Sequence, residues 1–142
     1  ALTGRTTTDR VNLQRLRAHA IEAAEQCDRL TVPIVSEPSV LSDLVADWPN
    51  DRRLLVMDCS GDGRPLLDVL SATGALVAEG RQLAPGLLVG PEGGFTRAEL
   101  VDLAGLPFVT AVALSPRILR AETAALSALA CWQAVVDSHC KH

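Results

Sequence analysis

No stretch of this chain of 142 residues is apolar for long enough to span a bilayer. Its start lacks the basic-then-apolar order of a secretory signal. A cytoplasmic protein is therefore expected. No C-x-x-C pair occurs, because Cys27, Cys59, Cys131 and Cys140 are scattered, and that spacing argues against a zinc site. In a reducing compartment most of these thiols should be free and packed. His139, Cys140 and His142 cluster at the very end, where tails are usually disordered, and no functional metal is expected there. Repeats and low-complexity tracts are missing too. Lysine is nearly absent: Lys141 is the single lysine beside the arginines. The net charge of -4 argues mildly against nucleic acid. Arginine softens that argument, since it suits bidentate contacts to phosphate or carboxylate. It is also the usual basic residue of GC-rich genomes, so charge alone does not decide the partner.

What the chain does have is apolar bulk, 48% of its residues, enough for a sizeable core in one ordinary domain. Val11, Leu16, Ala20, Ala23 and Ala24 recur at helical spacing with arginines opposite, predicting a helix over 9–27. A short strand is expected at 31–35, then a short helix capped by Ser39 and running to Trp48. Residues 54–58 form a continuous apolar run ending in Asp58, as in a buried strand. Ser60-Gly61-Asp62-Gly63 is a turn signal. Residues 66–71 suit one or two helical turns. Residues 86–89 and 109–114 read as further buried strands. Between them, 96–103 reads as a helix, with Thr96 and Glu99 at capping-box spacing. A long helix over 121–137 carries Leu126, Leu129, Trp132 and Val136 near one stripe. Apolar strands alternating with helices predict an α/β domain with a mostly parallel sheet flanked by helices. Ligands bind beyond the carboxyl ends of the strands in such sheets.

Two strand ends run into unusual loops. The first is Gly90-Pro91-Glu92-Gly93-Gly94-Phe95-Thr96. Its glycines allow positive φ and close approach to the main chain, and Gly93 is expected to use that freedom. The helix behind it offers free N–H groups. A plain glycine-rich turn is the alternative. The dinucleotide fingerprint and the P-loop are both excluded, because the glycine spacing is wrong and no Gly-Lys-Ser/Thr follows. The second loop is Leu114-Ser115-Pro116-Arg117-Ile118-Leu119-Arg120, continuing into Ala121-Glu122-Thr123-Ala124. Pro116 stops the strand. Arginines at a helix start oppose the dipole, and such local conflicts tend to mark functional sites. Alternatively both arginines are solvated, or paired with Glu92, Glu99 or Glu122.

Taken together, residues 90–100 and 114–124 resemble the two signature segments of the ribosomal RNA small subunit methyltransferase E family, a branch of the SPOUT methyltransferases. Ala23-Ala24-Glu25-Gln26, within 15–29, resembles the family's glutamate-alanine-alanine-glutamine-like run. The resemblance implies a deep trefoil knot in the C-terminal part of the sheet domain. It implies methyl transfer from S-adenosylmethionine to N3 of a uridine in 16S ribosomal RNA of the small ribosomal subunit. It implies a homodimer with the last helix at or near the interface; no membrane and no metal are expected, from the apolar runs and the cysteine spacing above. Carried over, Leu88, Gly90, Gly93 and Gly94 would line one side of the cofactor. Leu114, Ile118 and Leu119 would line the other, with Thr123 nearby.

Uracil N3 carries a proton that must leave as the methyl arrives. An arginine near the carbonyl oxygens would favour the anion, with Arg120 the first candidate and Arg117 the second. Glu92 would orient an arginine or accept the proton. Two departures from the family pattern stand out. Ser115 occupies a position that is usually glycine. Residues 1–8 look like the tail of the family's first strand region, so the expected single domain, 1–142, would lack that strand and the β-barrel RNA-binding domain before it. A dimeric S-adenosylmethionine-binding module without activity on RNA is the second reading. An unrelated phosphate- or nucleotide-binding α/β domain is the third.

Overall fold

A strand apolar on both faces must be covered on both faces. Leu54, Leu55 and Val56 expose 2%, 0% and 2% of their surface. The computed structural model describes residues 1–6, 11–57, 63–80 and 84–139. In it, β1 (Leu54–Met57) is hydrogen-bonded on both edges, to β3 (Gly86–Val89) and to β4 (Val109–Ala113). A two-residue strand, β2 (Arg64–Pro65), adds to the far edge of β4. The order is β2-β4-β1-β3, and every pairing is parallel. Alternation along β1 divides the core. Leu54 and Val56 face a cluster with Leu41, Leu88, Phe95, Leu103 and Phe108. Leu55 faces Leu66, Val69, Leu70, Val112 and Ala128 on the other side.

Helices supply those covers. On one face lie α2 (Leu41–Ala46) and α4 (Arg97–Ala104), through Leu41 and Leu103. On the other lie α3 (Leu66–Ala78) and α5 (Ala121–His139), which pack extensively against each other. The first helix, α1 (Leu13–Gln26), buries only Ala24. The parallel α/β architecture expected from the pattern is therefore present.

Several local expectations are corrected. Asn12 caps α1, its side chain accepting from Arg15 N at 2.9 Å, so the helix starts after the expected Asp9, which with Arg10 lies outside the described residues. Residues 31–35 form no strand: among the described residues no strand pairs with them, although the Arg17 guanidinium reaches the Val35 carbonyl. Val40, not Ser39, precedes α2, because the Ser39 carbonyl and Leu41 N–H are engaged with Leu2 in a parallel bridge. The helix expected at 66–71 runs to Ala78. On α5, Leu126 and Leu129 are 69% and 54% exposed, whereas Ala124 and Ala128 are buried. Small side chains let α5 approach α3 and the sheet closely, so the inward face is drawn by alanines and by Cys131, Trp132 and Val135. The turn expected at 60–63 lies outside the described residues except for Gly63, as do Asp58 and Cys59.

One glycine is required by packing. A Cβ on Gly86 would meet the Trp48 ring, with Cζ2 at 2.6 Å. The ring cannot retreat easily, because Trp48 Nε1 donates to the Arg52 carbonyl at 2.8 Å. Arg52 stacks over it at 5.1 Å and donates to the Ala84 carbonyl at 2.8 Å. Gly86→Ala is expected to lower unfolding free energy by about 1–3 kcal/mol through overpacking, measured by urea denaturation.

Candidate functional site

Parallel pairing in register brings strand ends together. Met57 pairs with Val89 and with Val112, and all three border a cavity of about 830 Å³. The cavity therefore lies where the carboxyl ends of β3, β1 and β4 meet, as expected for a sheet of this kind. Its remaining walls come from the two loops singled out in the sequence, joined by Arg5.

The loop after β3 turns sharply. Gly90 sits on the Phe95 ring, where an added Cβ would find Cε2 at 3.1 Å. Gly94 N–H donates to the Pro91 carbonyl at 2.7 Å. Gly94 is the residue with left-handed backbone, at φ 69. The expectation that Gly93 takes positive φ is thus corrected by one residue. Gly93 is restricted instead by a neighbour, since its Cβ would meet Arg5 Cβ at 3.1 Å. Phe95 then enters the core and anchors the loop.

At the start of α4 the expected capping box is complete. Thr96 Oγ1 accepts from Glu99 N at 3.2 Å, and Glu99 Oε2 accepts from Thr96 N at 2.7 Å. The other carboxylate oxygen, Oε1, accepts from Gly4 N at 2.7 Å. These bonds, Gly4 first and Thr96 second, hold the Glu99 carboxyl below its ordinary value of 4.5, with a small further push from the Arg5 charge.

The loop after β4 lines the opposite wall with Leu114, Ser115, Arg117, Ile118, Leu119 and Arg120. Ser115 Oγ accepts from Arg117 N at 3.1 Å, so the serine side chain ties down its own loop. Ala124 N–H donates to the Arg120 carbonyl at 2.8 Å, which places Arg120 at the entrance to α5. Among the described residues, no ion pair joins Arg117 or Arg120 to Glu92, Glu99 or Glu122. The solvated alternative, not the paired one, describes these arginines.

Of the residues singled out in the sequence, Gly90, Glu92, Gly93, Gly94, Leu114, Arg117, Ile118, Leu119 and Arg120 share this cavity. Leu88 and Thr123 are not among its walls; the Leu88 side chain belongs to the core. Arg5, Met57, Val89, Phe95 and Leu100 are wall residues that motif reading did not nominate as ligand contacts. Strand ends would have pointed to Met57 and Val89, but no spacing signal ties Arg5 to a loop so distant in sequence. Among the described residues, no group of three or more His, Cys, Asp and Glu could hold a metal, and no helix is long and apolar enough to cross a membrane. Cys140 and His142 lie outside the described residues.

Residues 2–133 match the model of a family described as the RNA methyltransferase domain. The chain is 34% identical over 131 residues to ribosomal RNA small subunit methyltransferase E of Rickettsia conorii, covering 92% of this chain and 50% of that protein. It therefore spans about half the length of that relative. Among solved structures, ribosomal RNA small subunit methyltransferase E of Neisseria gonorrhoeae, bound to S-adenosyl methionine, superposes with a TM-score of 0.73 at 32% identity, over 87% of this chain and 47% of that one. A Legionella pneumophila protein named as a methyltransferase, in complex with the cofactor SAM, gives a TM-score of 0.76 at 27% identity, over 94% of this chain and 52% of that one.

Two outcomes are expected from this geometry. Gly94→Ala should cost about 1–2 kcal/mol of stability, because φ near 69 strains a side chain even with no atom within 4 Å of its Cβ. Gly94→Asn, which tolerates that region, should recover part of the loss in the same denaturation measurement. Glu99 has a lowered carboxyl, so its contribution to stability is present above 4.5 and lost as pH falls through the folded value. Melting temperature followed from neutral to acid pH should fall less steeply in Glu99→Gln than in the parent.

Proposed function

The chain belongs to the RNA methyltransferase domain family, that of ribosomal RNA small subunit methyltransferase E, and on that premise we propose that it binds S-adenosylmethionine and methylates N3 of a uridine in 16S ribosomal RNA. The observation that carries this reading is the cavity at the strand ends, walled on two sides by the segments that resemble the family's signatures. Its volume of about 830 Å³ suits a cofactor of nucleoside size. Its chemistry fits as well. Leu114, Ile118, Leu119 and Phe95 offer apolar walls, and the Gly93-Gly94 turn lets a ligand approach the main chain.

When bound, S-adenosylmethionine supplies an electrophilic methyl on a sulfonium. The chain's own residues must hold the uracil with N3 in line with that methyl, since alignment supplies much of such catalysis. They must also ease the loss of the N3 proton. Arg120, at the entrance to α5, is proposed to face the uracil carbonyl oxygens and favour the anion. Arg117 is the second cation of the same loop. Glu92, exposed on the opposite loop, would orient an arginine or take the N3 proton.

Three further proposals follow from the family. The C-terminal part of the chain would be threaded as a trefoil knot. The protein would act as a homodimer through α5, which leaves Leu126 and Leu129 uncovered. It would work in the cytoplasm, where its RNA is.

Calorimetry and a methyl-transfer assay on 16S RNA test the reading. The parent protein should bind S-adenosylhomocysteine but not ATP. Arg120→Ala should lower turnover at saturating RNA by about a hundredfold while leaving S-adenosylhomocysteine affinity within about twofold. Near-normal turnover would remove Arg120 from the chemistry, and ATP competing for the site would remove the methyltransferase reading itself.

A further inference from the structure

The Gly93–Gly94 peptide unit is held at both ends. Its N–H, on Gly94, donates to the Pro91 carbonyl at 2.7 Å. Its carbonyl, on Gly93, accepts from Arg5 Nη1, also at 2.7 Å. A peptide unit is planar and trans, so fixing both ends fixes the plane. Two adjacent glycines would otherwise let that plane rotate freely.

Arg5 is itself well placed for this. Thr3 N–H donates to Thr6 Oγ1 at 2.9 Å, and Thr6 N–H to the Thr3 carbonyl at 3.1 Å, so Gly4 and Arg5 form the tip of a tight turn. That turn is seated on α4 by the bond from Gly4 N–H to Glu99. It is tied to the chain ahead of α2 by the bridge between Leu2 and Val40. Arg5 also borders the cavity.

We propose that Arg5 is a positioning residue for the cofactor loop, setting the orientation of the Gly93–Gly94 peptide through its charge-assisted bond to the Gly93 carbonyl. The segment before α1 is thereby part of the site. As it concerns ligand affinity, the proposal rests on the S-adenosylmethionine reading; as it concerns loop geometry, it does not.

Amide exchange by NMR and calorimetry on Arg5→Ala and Arg5→Lys test it. In Arg5→Ala the Gly94 amide should exchange about tenfold faster while the Leu55 and Val56 amides keep the parent rate, and S-adenosylhomocysteine should bind about tenfold more weakly. Arg5→Lys should recover most of both, because an ammonium can still donate to one carbonyl. The proposal is overturned if Gly94 exchange in Arg5→Ala stays within twofold of the parent, or if core amides accelerate equally. It is overturned too if Arg5→Lys fails as badly as Arg5→Ala, or if only the KM for RNA rises. Failure of the parent to bind S-adenosylhomocysteine would sink the functional reading and leave the exchange comparison to decide on Arg5.

Discussion

Everything at the site depends on the two-sided burial of β1. Leu54, Leu55 and Val56 can be dry on both faces only if strands flank both edges and helices cover both faces. Parallel pairing in register then brings Met57, Val89 and Val112 to one level, the ends of β1 and β3 and one residue short of the end of β4. Three strand ends at one level create a hollow that the connecting loops must wall. The cavity is a consequence of the core, and its chemistry is left to whatever residues those loops carry.

Each wall is stiffened by a different device. On the β3 side, the Phe95 ring in the core, the left-handed Gly94 and the Thr96–Glu99 box act in sequence along seven residues, 90–96, and the first turn of α4. On the β4 side, Ser115 bonds to Arg117 N, and the Arg120 carbonyl starts α5. Glu99 links the first wall to the N-terminal segment by accepting from Gly4 and Thr96 at once. A loop with two neighbouring glycines is intrinsically loose, and these contacts convert it into a surface of defined shape.

Local chemistry made much of this legible in advance. The β3 strand at 86–89 and the Thr96–Glu99 box stand where pattern and spacing put them, because both are governed by neighbours in sequence. The misreadings have physical causes. Residues 31–35 look like a strand by composition but pair with no strand among the described residues. Arg64 and Pro65 look like no strand at all, yet Gly63 lets them close on β4, where a Cβ would meet the Val112 backbone at 2.7 Å. The inward face of α5 was hidden because alanines, not leucines, allow the closest helix approach. Arg5 was invisible for a different reason. Its partner is a carbonyl 88 positions away, and no side-chain pattern encodes a bond to a backbone oxygen.

The capping of α4 also bears on which ligand the site suits. A phosphate cradle needs backbone N–H groups free at a helix start. Here the Thr96 N–H is taken by the Glu99 carboxylate and the Glu99 N–H by the Thr96 hydroxyl. The same carboxylate is held ionised below its ordinary range and would repel an approaching phosphate. The cavity, which Thr96 and Glu99 do not line, has Val89, Phe95, Leu114, Ile118 and Leu119 among its walls. An α4 terminus partly served by its own acid is a poor phosphate cradle, and the apolar walls of the cavity suit a ligand held by shape and main-chain contacts. Arg5, Arg117 and Arg120 border that hollow rather than the helix start, and Arg5 is already engaged by the Gly93 carbonyl.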